Sequence, residues 1–397
     1  MLLNLLHIIW IVFQAVIALI LVFPVISYFI YLIVKPRSVK AVPASHTIYD
    51  YGIIVTAYNN SSNLPHVVHS LLRLNYKNFL VYVVADNCPD LIDDFEDERV
   101  ITIRPDPVLA NQVKSHFLAI DSFKRPHNIV TIIDSDNLVD PNYLDELNLQ
   151  FSRGYSAVQG VRTAKNFDTV YACIDATNEI YYLFYDRKIL FSIGSSAMLS
   201  GSGMAFTVDL YNACLRPLDT EGAGFDKILQ KEILDRKYRI AFAEDAIVYD
   251  EKTSNADQLV KQRARWNNTW FRFFTFGFSL VAQGIKNFSI NQFLFGFILL
   301  RPPLFILLSM SMFILIANIF ISQVAAFIWC GLILIFSYGF FLPLLNSKTD
   351  KRIYQSLIHI PKFIFFQVLS LLKVRKANQH SVATEHVHNK DLEEIKE

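Results

Sequence analysis

The sequence has few cysteines and almost no net charge, and both deficits exclude classes of protein. Only four of its 397 residues are Cys. They show neither the density of a disulfide-stapled secreted domain nor the paired spacing of a zinc site. The formal net charge is +1, and no basic stripe interleaved with aromatic residues marks a binding face. We therefore expect reduced, structural cysteines and no nucleic-acid partner.

Apolar residues are abundant instead, and they form long runs near both ends of the chain. Hydrophobic residues make up 53% of the sequence. The run from Leu5 to Val34 is long enough to cross a bilayer core of about 30 Å. It begins without a basic region and is followed by Lys35-Pro36-Arg37, unlike a cleavable signal peptide. We expect residues 1–34 to be a transmembrane anchor, with Lys35 and Arg37 on the cytoplasmic side.

The C-terminal part of the chain predicts two more spanning helices, within residues 291–345. An aromatic-rich stretch at 267–290 predicts an interfacial helix, and apolar runs follow at Phe293–Ile321 and Val324–Leu345. Arg301-Pro302-Pro303 interrupts the first run. Because proline cannot donate a helical hydrogen bond, we expect a kink or an interfacial piece there.

Basic residues indicate which ends of these helices face the cytoplasm. The loop after the second run carries Lys348, Lys351 and Arg352, whereas the loop between the two runs has no basic residue. Residues 353–372 are apolar with basic flanks, which favours an interfacial helix over a fourth span. We expect residues 373–397 to form a polar, mostly disordered tail.

Between the membrane segments, residues 48–266 alternate short strand-like runs with helical patterns. The clearest strand-like runs are Tyr51–Ala57, Phe79–Ala85, Val100–Arg104 and Ile129–Asp134. This alternation predicts an α/β domain with a mainly parallel sheet. Ligands of such sheets bind beyond the carboxyl ends of the strands, so Tyr58, Asp86, Asp134 and Asp136 are candidate site residues.

Asp134 and Asp136 carry the strongest local signal for chemistry. A buried strand delivers these two carboxylates, two residues apart, onto the turn that follows it. Carboxylate oxygens suit Mg²⁺ or Mn²⁺, and either ion would neutralise the diphosphate of a nucleotide sugar as it leaves. Aspartate is also common in turns because its side chain bonds nearby backbone groups, so the pair alone leaves a purely structural turn open.

Five further stretches complete a pattern of motifs between about residues 50 and 270. They are Ile53–Asn60, Val83–Cys88, Gln159–Arg162, Ser200–Phe206 and Gln262–Trp266. Together with the two aspartates they resemble the family 2 glycosyltransferases, especially the membrane-embedded branch that includes cellulose and hyaluronan synthases. The resemblance implies a GT-A catalytic domain, which is an α/β, Rossmann-like domain with a mainly parallel sheet, between N- and C-terminal transmembrane helices.

The resemblance also implies roles for residues that would bind the nucleotide sugar. Tyr58 and Asp86 would contact the base, and Lys114 lies near the family's position for a basic residue at the nucleotide site. Asp134 would lie beside the nucleotide and Asp136 would coordinate the metal. The cofactor that it implies is Mg²⁺ or Mn²⁺.

Two more of these stretches imply the rest of the site. Gly201 and Gly203 would line the donor-sugar and acceptor region, where glycine permits a close backbone approach. Without the resemblance they read as an ordinary loop or strand bend. Gln262, Arg265 and Trp266 match the Gln-x-x-Arg-Trp motif of the membrane-embedded branch. Arg265 would contact the departing diphosphate, and Trp266 would offer a stacking face to an acceptor sugar.

An inverting transfer needs a carboxylate to accept the proton of the attacking hydroxyl, and two aspartates compete for this role. In the family the base belongs to a Thr-Glu-Asp motif shortly before a Gly-Tyr-Arg-Ile-like strand entry. Counting back from Lys237-Tyr238-Arg239-Ile240 gives Asp226, although Gly224-Phe225 replaces the Thr-Glu. The structural alternative is an aspartate that stabilises a helix start. Asp245 is the competing candidate.

These observations predict an inverting hexosyl- or N-acetylhexosaminyltransferase. It would move a sugar from a nucleotide sugar, with a UDP-sugar as the first expectation, to a membrane-associated polysaccharide, lipid-linked glycan or lipid. We expect the catalytic domain on the cytoplasmic face of the cell inner membrane, with other polysaccharide-assembly subunits as candidate partners. The alternative is a non-catalytic assembly or export subunit that kept the fold. A nucleotidyltransferase is disfavoured because no glycine-rich activating loop lies near the start.

Overall fold

The computed structural model describes residues 2–34, 47–91, 95–220 and 222–373. The expectations for Lys35, for Arg37 and for the tail after residue 373 lie outside the described residues. All four cysteines are free thiols; Cys88, Cys173 and Cys214 are buried, and Cys330 is exposed. The prediction of reduced cysteines is consistent with this arrangement, but Cys330 packs into no core.

The described residues form eight strands and a series of helices. The strands are β1 (Tyr51–Tyr58), β2 (Phe79–Asp86), β3 (Val100–Ile103), β4 (Ile129–Asp134), β5 (Leu138–Val139), β6 (Ala157–Ala164), β7 (Met204–Thr207) and β8 (Ile240–Asp250). The helices before β8 are α1 (Leu2–Val34), α2 (Leu64–Leu72), α3 (Gln112–Asp121), α4 (Tyr143–Ser152), α5 (Val170–Tyr182), a π-helix (Leu183–Ile189), α6 (Leu190–Ser192), α7 (Val208–Leu215) and α8 (Phe225–Asp235). Those after β8 are α9 (Ala256–Phe273), α10 (Phe276–Lys286), α11 (Ile290–Leu299), α12 (Leu304–Ile321), α13 (Gln323–Asn346), α14 (Lys351–Ser356), a 3₁₀ turn (Leu357–His359) and α15 (Ile360–Lys373).

The strands form one mixed sheet in the order β3-β2-β1-β4-β7-β6-β8-β5. The pairs β1–β2, β1–β4, β2–β3 and β6–β8 are parallel, and the pairs that involve β7 or β5 are antiparallel. The predicted α/β fold with a mainly parallel sheet is therefore confirmed. The strand bounds differ by a residue, because β1 and β2 continue to Tyr58 and Asp86 and β3 ends at Ile103.

Helices cover both faces of the sheet, which explains why its central strands are mostly apolar. Along β1, Ile53 and Val55 belong to a core that includes residues of α2 and α4. The intervening Ile54 belongs to a second core, built with residues of α3, α7 and α8. Successive side chains of a strand point to opposite faces, so a sheet covered on both sides needs an apolar residue at each position.

Within the described residues, three helices are long and apolar enough to cross a membrane, as predicted. These segments are Asn4–Val34, Leu304–Ile321 and Gln323–Asn346. They pack against one another through apolar side chains of α1, α12 and α13. A polar contact also joins the three helices, because Asn318 Nδ2 and Trp329 Nε1 both donate to Gln14 Oε1, at 2.6 and 2.7 Å. Away from water such interhelical hydrogen bonds help to fix which helix faces pair.

The apolar run Phe293–Ile321 is not one helix, in keeping with the interruption expected at its two prolines. It breaks at Arg301-Pro302-Pro303 into α11 and α12, and α11 packs against α10 instead of continuing into a span. Glycines allow this close contact: a Cβ on Gly296 would lie 2.8 Å from the carbonyl oxygen of Gly277. The segment that was expected to be one interfacial helix, 267–290, comprises the end of α9 and α10.

The C-terminal apolar segment is also divided. Residues 351–373 form α14, a 3₁₀ turn and α15, and the candidate spans among the described residues do not include them. Helix α15 packs against α9, where Asn267 Nδ2 donates to Ser370 Oγ at 2.8 Å. This buried polar contact holds the C-terminal helix beside the helix that carries Arg265 and Trp266.

Candidate active site

A cavity of about 550 Å³ lies between the sheet edge, helices α5, α8 and α9, and the start of α12. Its lining includes five residues that the sequence singled out, namely Asp134, Gly201, Asp226, Arg265 and Trp266. The other six, Tyr58, Asp86, Lys114, Asp136, Gly203 and Gln262, lie outside this lining. The cavity therefore brings together groups from four distant parts of the chain.

Asp134 lies at the carboxyl end of β4, on the cavity wall. Its backbone N–H donates to Ser202 Oγ at 3.1 Å, and its Oδ1 accepts from Gln112 Nε2 at 3.4 Å. Both β1 and β2 run parallel in this part of the sheet, and Thr56 is the register partner of Asp134. The parallel register places the ends of three strands at one edge, as the sequence predicted.

Asp136 lies two residues further, in the half-buried turn between β4 and β5. Asn137 Nδ2 donates to its Oδ1 at 3.3 Å. Among the residues that the structure describes, no group of three or more His, Cys, Asp or Glu side chains is placed to hold a metal ion. Two carboxylates are still the donor set with which Mg²⁺ is commonly held, since substrate phosphates and water complete its coordination. The two carboxylates thus fit a metal ion that binds together with a phosphate-containing substrate.

Asp86 and Tyr58 lie at the ends of neighbouring strands, where they are register partners. The carboxylate of Asp86 is buried and accepts from the backbone N–H groups of Leu109 and Ala110, at 3.0 and 2.7 Å. It therefore fixes the loop that leads into α3. Lys114 is exposed in the first turn of that helix. The predicted contacts of Asp86, Tyr58 and Lys114 with a nucleotide stay predictions.

The loop 200–203 lies beside Asp134, because Ser202 accepts from its backbone N–H, and the shape of the loop depends on glycine. Gly201 has φ +89° and Gly203 has φ +66°, in the left-handed region that other residues rarely adopt. A Cβ on Gly201 would meet no atom within 4 Å, so its site is open on the cavity side. Gln159 holds the loop, because its Oε1 accepts from the Ser200 N–H at 3.0 Å and its Nε2 donates to the Ser202 carbonyl at 3.2 Å.

Asp226 lies in the first turn of α8, directly after a tightly packed helix start. Gly224 has φ +98°, and a Cβ there would lie 2.9 Å from Thr269 Cγ2 and 2.8 Å from Phe273 Cε2, both on α9. The glycine at 224, where the resemblance implied Thr, thus has a local packing reason. Asp226 faces the cavity and forms an ion pair with Lys227 at 2.9 Å.

Asp245, the competing candidate for the base, lies elsewhere. It is exposed on β8 and is absent from the cavity lining. Its neighbour Glu244 forms an ion pair with Lys188 on the surface. The structure therefore places Asp226, and not Asp245, in the lining of the cavity that Asp134 and Arg265 also line.

Helix α9 brings Arg265 and Trp266 to the cavity. Burial lowers the pKa of the Arg265 guanidinium from its ordinary value, although arginine remains charged. The Trp266 side chain is 38% exposed, and the Arg263 guanidinium lies 4.4 Å from its ring centroid. Arg263 also forms a buried ion pair with Asp175. Gln262 is one turn earlier, 3.5 Å from Thr253 Oγ1, so it supports the start of the helix.

Sequence reasoning missed a buried charge network in the wall of the cavity, which Arg162, Glu179 and Arg187 help to line. Glu179 accepts from Arg187 Nη1 at 2.7 Å, while Asp250 accepts from Lys252 Nζ at 2.7 Å and from Arg162 Nη2 at 3.0 Å. Arg162 also donates to the Ser200 carbonyl at 2.8 Å, which ties the network to the glycine loop. These residues are scattered along the chain, so only the motif that contains Arg162 gave any sequence signal.

Glu179 and Lys252 of this network stay charged although they are buried. Burial would raise the pKa of Glu179, but Arg187, Lys252 and Arg162 outweigh it and hold that pKa well below its ordinary range. Burial would likewise lower the pKa of Lys252, which Asp250 and Glu179 raise instead. Each charge is therefore stable only while its partners are present.

Replacing Glu179 by Gln is expected to destabilise the folded protein by about 3–5 kcal/mol at pH 7, since it leaves Arg187 buried without its carboxylate. Because the pKa of Glu179 is depressed in the folded state, its contribution is complete above the unfolded-state pKa of about 4.3 and is lost as pH falls below it. The destabilisation should therefore shrink between pH 7 and about pH 3.5. Thermal denaturation of detergent-purified wild type and Glu179→Gln at both pH values measures the difference in stability between them.

Glu232→Gln is the matched control for that experiment. Glu232 pairs with Arg236 one turn away on α8, at a part-exposed position. Its loss should cost less than about 1 kcal/mol. Equal destabilisation by the two variants at pH 7 would contradict a special role for the buried network.

Comparison with known proteins agrees with this architecture. Residues 49–269 match the family described as "Glycosyltransferase like family 2". Among curated proteins, none matches the sequence significantly. The mannosyltransferase PcManGT from Pyrobaculum calidifontis, solved in complex with GDP-Man and Mn²⁺, is 13% identical, with a TM-score of 0.50 over 90% of this chain and 99% of that chain.

A second solved structure is less similar. TarS residues 1–349 from S. aureus, in complex with UDP, is 14% identical and aligns with 53% of this chain and 63% of that chain, at a TM-score of 0.37. At these identities the likeness to PcManGT shows a shared fold alone. The family match covers more than half of the chain and the whole α/β domain, including Asp134, Asp226 and Arg265. The chain belongs to the family 2 glycosyltransferases, with a GT-A-like catalytic domain.

Proposed function

We propose that this protein is a metal-dependent, inverting glycosyltransferase that moves a sugar from a nucleotide sugar to a membrane-associated acceptor. One observation carries the proposal: a single cavity joins Asp134 at the sheet edge, Asp226 at the start of α8, and Arg265 with Trp266 on α9. A donor-binding carboxylate, a base and a guanidinium for the leaving group are the parts that such a transfer requires.

The donor would bind at the edge of the sheet, beyond β1, β2 and β4. Asp134 and Asp136 would hold Mg²⁺ or Mn²⁺, which would neutralise the charge of the donor diphosphate. Tyr58 and Asp86 lie at the ends of the neighbouring strands, where they would contact the base. PcManGT was solved with GDP-Man and Mn²⁺, and TarS with UDP, so both donor classes belong in a test.

The transfer itself would use Asp226 and Arg265. Asp226 would take the proton of the acceptor hydroxyl while its oxygen attacks the anomeric carbon from the face opposite the diphosphate, which inverts that carbon. Arg265 would donate hydrogen bonds to the departing diphosphate. Arg263 covers one face of Trp266, so an acceptor would stack on the other.

The membrane helices support an acceptor at the membrane and a cytoplasmic catalytic domain. Two candidate spans, α12 and α13, follow the domain, and if both cross the membrane, residues 347–352 would lie on the same side as the cavity. That loop carries Lys348, Lys351 and Arg352, and basic loops favour the cytoplasm. We therefore place the site at the inner face of a cell membrane. Other polysaccharide-assembly subunits remain candidate partners.

A donor panel tests the proposal. Detergent-purified full-length protein is incubated with UDP- and GDP-sugars and a membrane extract as acceptor source, with Mg²⁺, with Mn²⁺ or with EDTA. We expect nucleotide release from one donor, abolished by EDTA. If no donor is turned over and calorimetry shows no metal-dependent nucleotide binding, the non-catalytic assembly subunit replaces this proposal.

A further inference from the structure

The lining of the cavity also includes residues at the end of α11 and the start of α12. The apolar ones among them are Ile298, Leu299, Pro302, Pro303, Leu304 and Phe305. Leu304 and Phe305 begin α12, which is one of the three candidate spans. This end of the cavity is therefore apolar and lies where the catalytic domain meets the membrane helices.

A buried ion pair lies on the cavity wall beside this apolar end. Arg301 Nη2 donates to Asp186 Oδ2 at 2.5 Å, and the two residues are 7% and 3% exposed. Both line the cavity. The rings of Tyr181 and Tyr182 lie 5.9 and 5.3 Å from the guanidinium carbon, so the position of Arg301 is fixed by its surroundings.

Each partner of this pair keeps one polar atom unused. Arg301 Nη1 and Asp186 Oδ1 are buried and have no hydrogen-bond partner among the described residues. A buried donor or acceptor without a partner is costly, so such atoms indicate a missing ligand or water. Asp186 lies in the π-helix Leu183–Ile189, and such turns occur frequently at functional sites.

From these observations we propose the class of acceptor: an amphiphile in which a phosphate separates an apolar chain from the hydroxyl that is glycosylated. The inference rests on the proposed function. The chain would lie against the apolar end of the cavity, and the phosphate would accept from Arg301 Nη1. The unused Asp186 Oδ1 would accept from a hydroxyl of the headgroup. Guanidinium groups suit phosphate because their planar donors match its oxygens.

The reaction on this acceptor balances without a further reactant. The headgroup hydroxyl oxygen forms a bond to the anomeric carbon, and the bond from that carbon to the diphosphate breaks. The hydroxyl proton passes to Asp226, and the nucleoside diphosphate leaves with the bonding electron pair. The phosphate of the acceptor is unchanged, because it serves only to bind.

Ligand binding without donor or metal tests this inference, so its failure is distinct from failure of the transferase proposal. Delipidated full-length protein in maltoside micelles is titrated with hexadecyl phosphate, hexadecanol and inorganic phosphate, and native mass spectrometry counts the bound molecules. We expect hexadecyl phosphate to bind at least about tenfold more tightly than hexadecanol, and more tightly than inorganic phosphate. If hexadecanol binds as tightly as hexadecyl phosphate, the cavity has no phosphate site. If inorganic phosphate binds as tightly, the ligand needs no apolar chain and is not a lipid.

Two variants of the ion pair should shift this affinity in opposite directions. Arg301→Lys keeps a charge beside Asp186 but loses the planar donor, so hexadecyl phosphate should bind roughly tenfold more weakly. Asp186→Asn keeps an acceptor for Arg301 but removes a negative charge, so it should bind several-fold more tightly. If the pair served only to stabilise the fold, the two variants would not change the affinity for hexadecyl phosphate in opposite directions.

Arg216→Lys is the control, because Arg216 pairs with Asp121 on the exposed surface, outside the cavity lining. It should bind hexadecyl phosphate as the wild type does. If Arg301→Lys fails to fold, judged by its thermal transition, the affinity of Asp186→Asn for hexadecyl phosphate tests the inference without it. Unchanged binding in a folded variant of either residue means that water completes the pair, and the inference is then wrong.

Discussion

Replacing Asp226 by Asn is expected to lower kcat for sugar transfer by about 10²–10⁴-fold, which is the usual contribution of a positioned general base. The amide has nearly the same shape as the carboxylate but cannot accept the hydroxyl proton. Asp226 belongs to α8 and pairs with Lys227, whereas the donor would bind at the sheet edge through residues of other elements. Donor affinity measured by calorimetry should therefore stay close to that of the wild type.

Asp245→Asn is the matched control, because it makes the same chemical change at the competing candidate. Asp245 is exposed on β8 and lies outside the cavity lining. Its variant should transfer sugar at the wild-type rate. The opposite result, in which Asp245→Asn is inactive and Asp226→Asn is active, would assign the base to Asp245 and overturn the mechanism proposed for this cavity.

Replacing Asp136 by Asn should remove most of the metal-dependent turnover. A metal that stabilises the leaving diphosphate contributes several kcal/mol, so losing one of its two protein carboxylates should reduce kcat/KM by about 10²–10³-fold. Titration with Mn²⁺ should also show weaker activation. Electron paramagnetic resonance of Mn²⁺, in the presence of the nucleotide, measures the affinity independently of turnover.

Asp140→Asn serves as the control in the same segment. Asp140 Oδ1 accepts from the Asn142 N–H at 3.0 Å, a turn contact that asparagine can also make. This variant should keep its Mn²⁺ dependence. Turnover of the wild type that is equally fast with EDTA would show that Asp134 and Asp136 do not act through a metal, and the carboxylates would then be turn residues.

Local sequence signals were sufficient to predict the sheet and the long apolar helices. Ile53 to Val55 form an apolar strand because both faces of the sheet are covered, and a continuous run of this kind is visible without a partner strand. The candidate spans at α1, α12 and α13 were predictable because a helix that crosses a membrane must be apolar along its own length. The break at 301–303 was predictable from its prolines, but the packing of α11 on α10 was not.

The membrane-embedded branch of the family stays a hypothesis. Its signal is the motif made by Gln262, Arg265 and Trp266, and the family match at residues 49–269 does not separate branches. The structure shows that Arg265 and Trp266 share the cavity with Asp226, and that Gln262 lies outside its lining. The motif therefore predicted which segment reaches the cavity, but not which residues of the motif line it.

By itself, the sequence determined the family, the mainly parallel sheet and the apolar helices, because each depends on residues that are close together in the chain. Only the tertiary structure decided that Asp226, and not Asp245, faces the cavity, and that Glu179 is held among buried cations. It also decided that Arg301 and Asp186 meet beside the start of α12. These pairings join distant segments, and burial rather than local pattern fixes them, since a charge leaves water only where the fold supplies its partner.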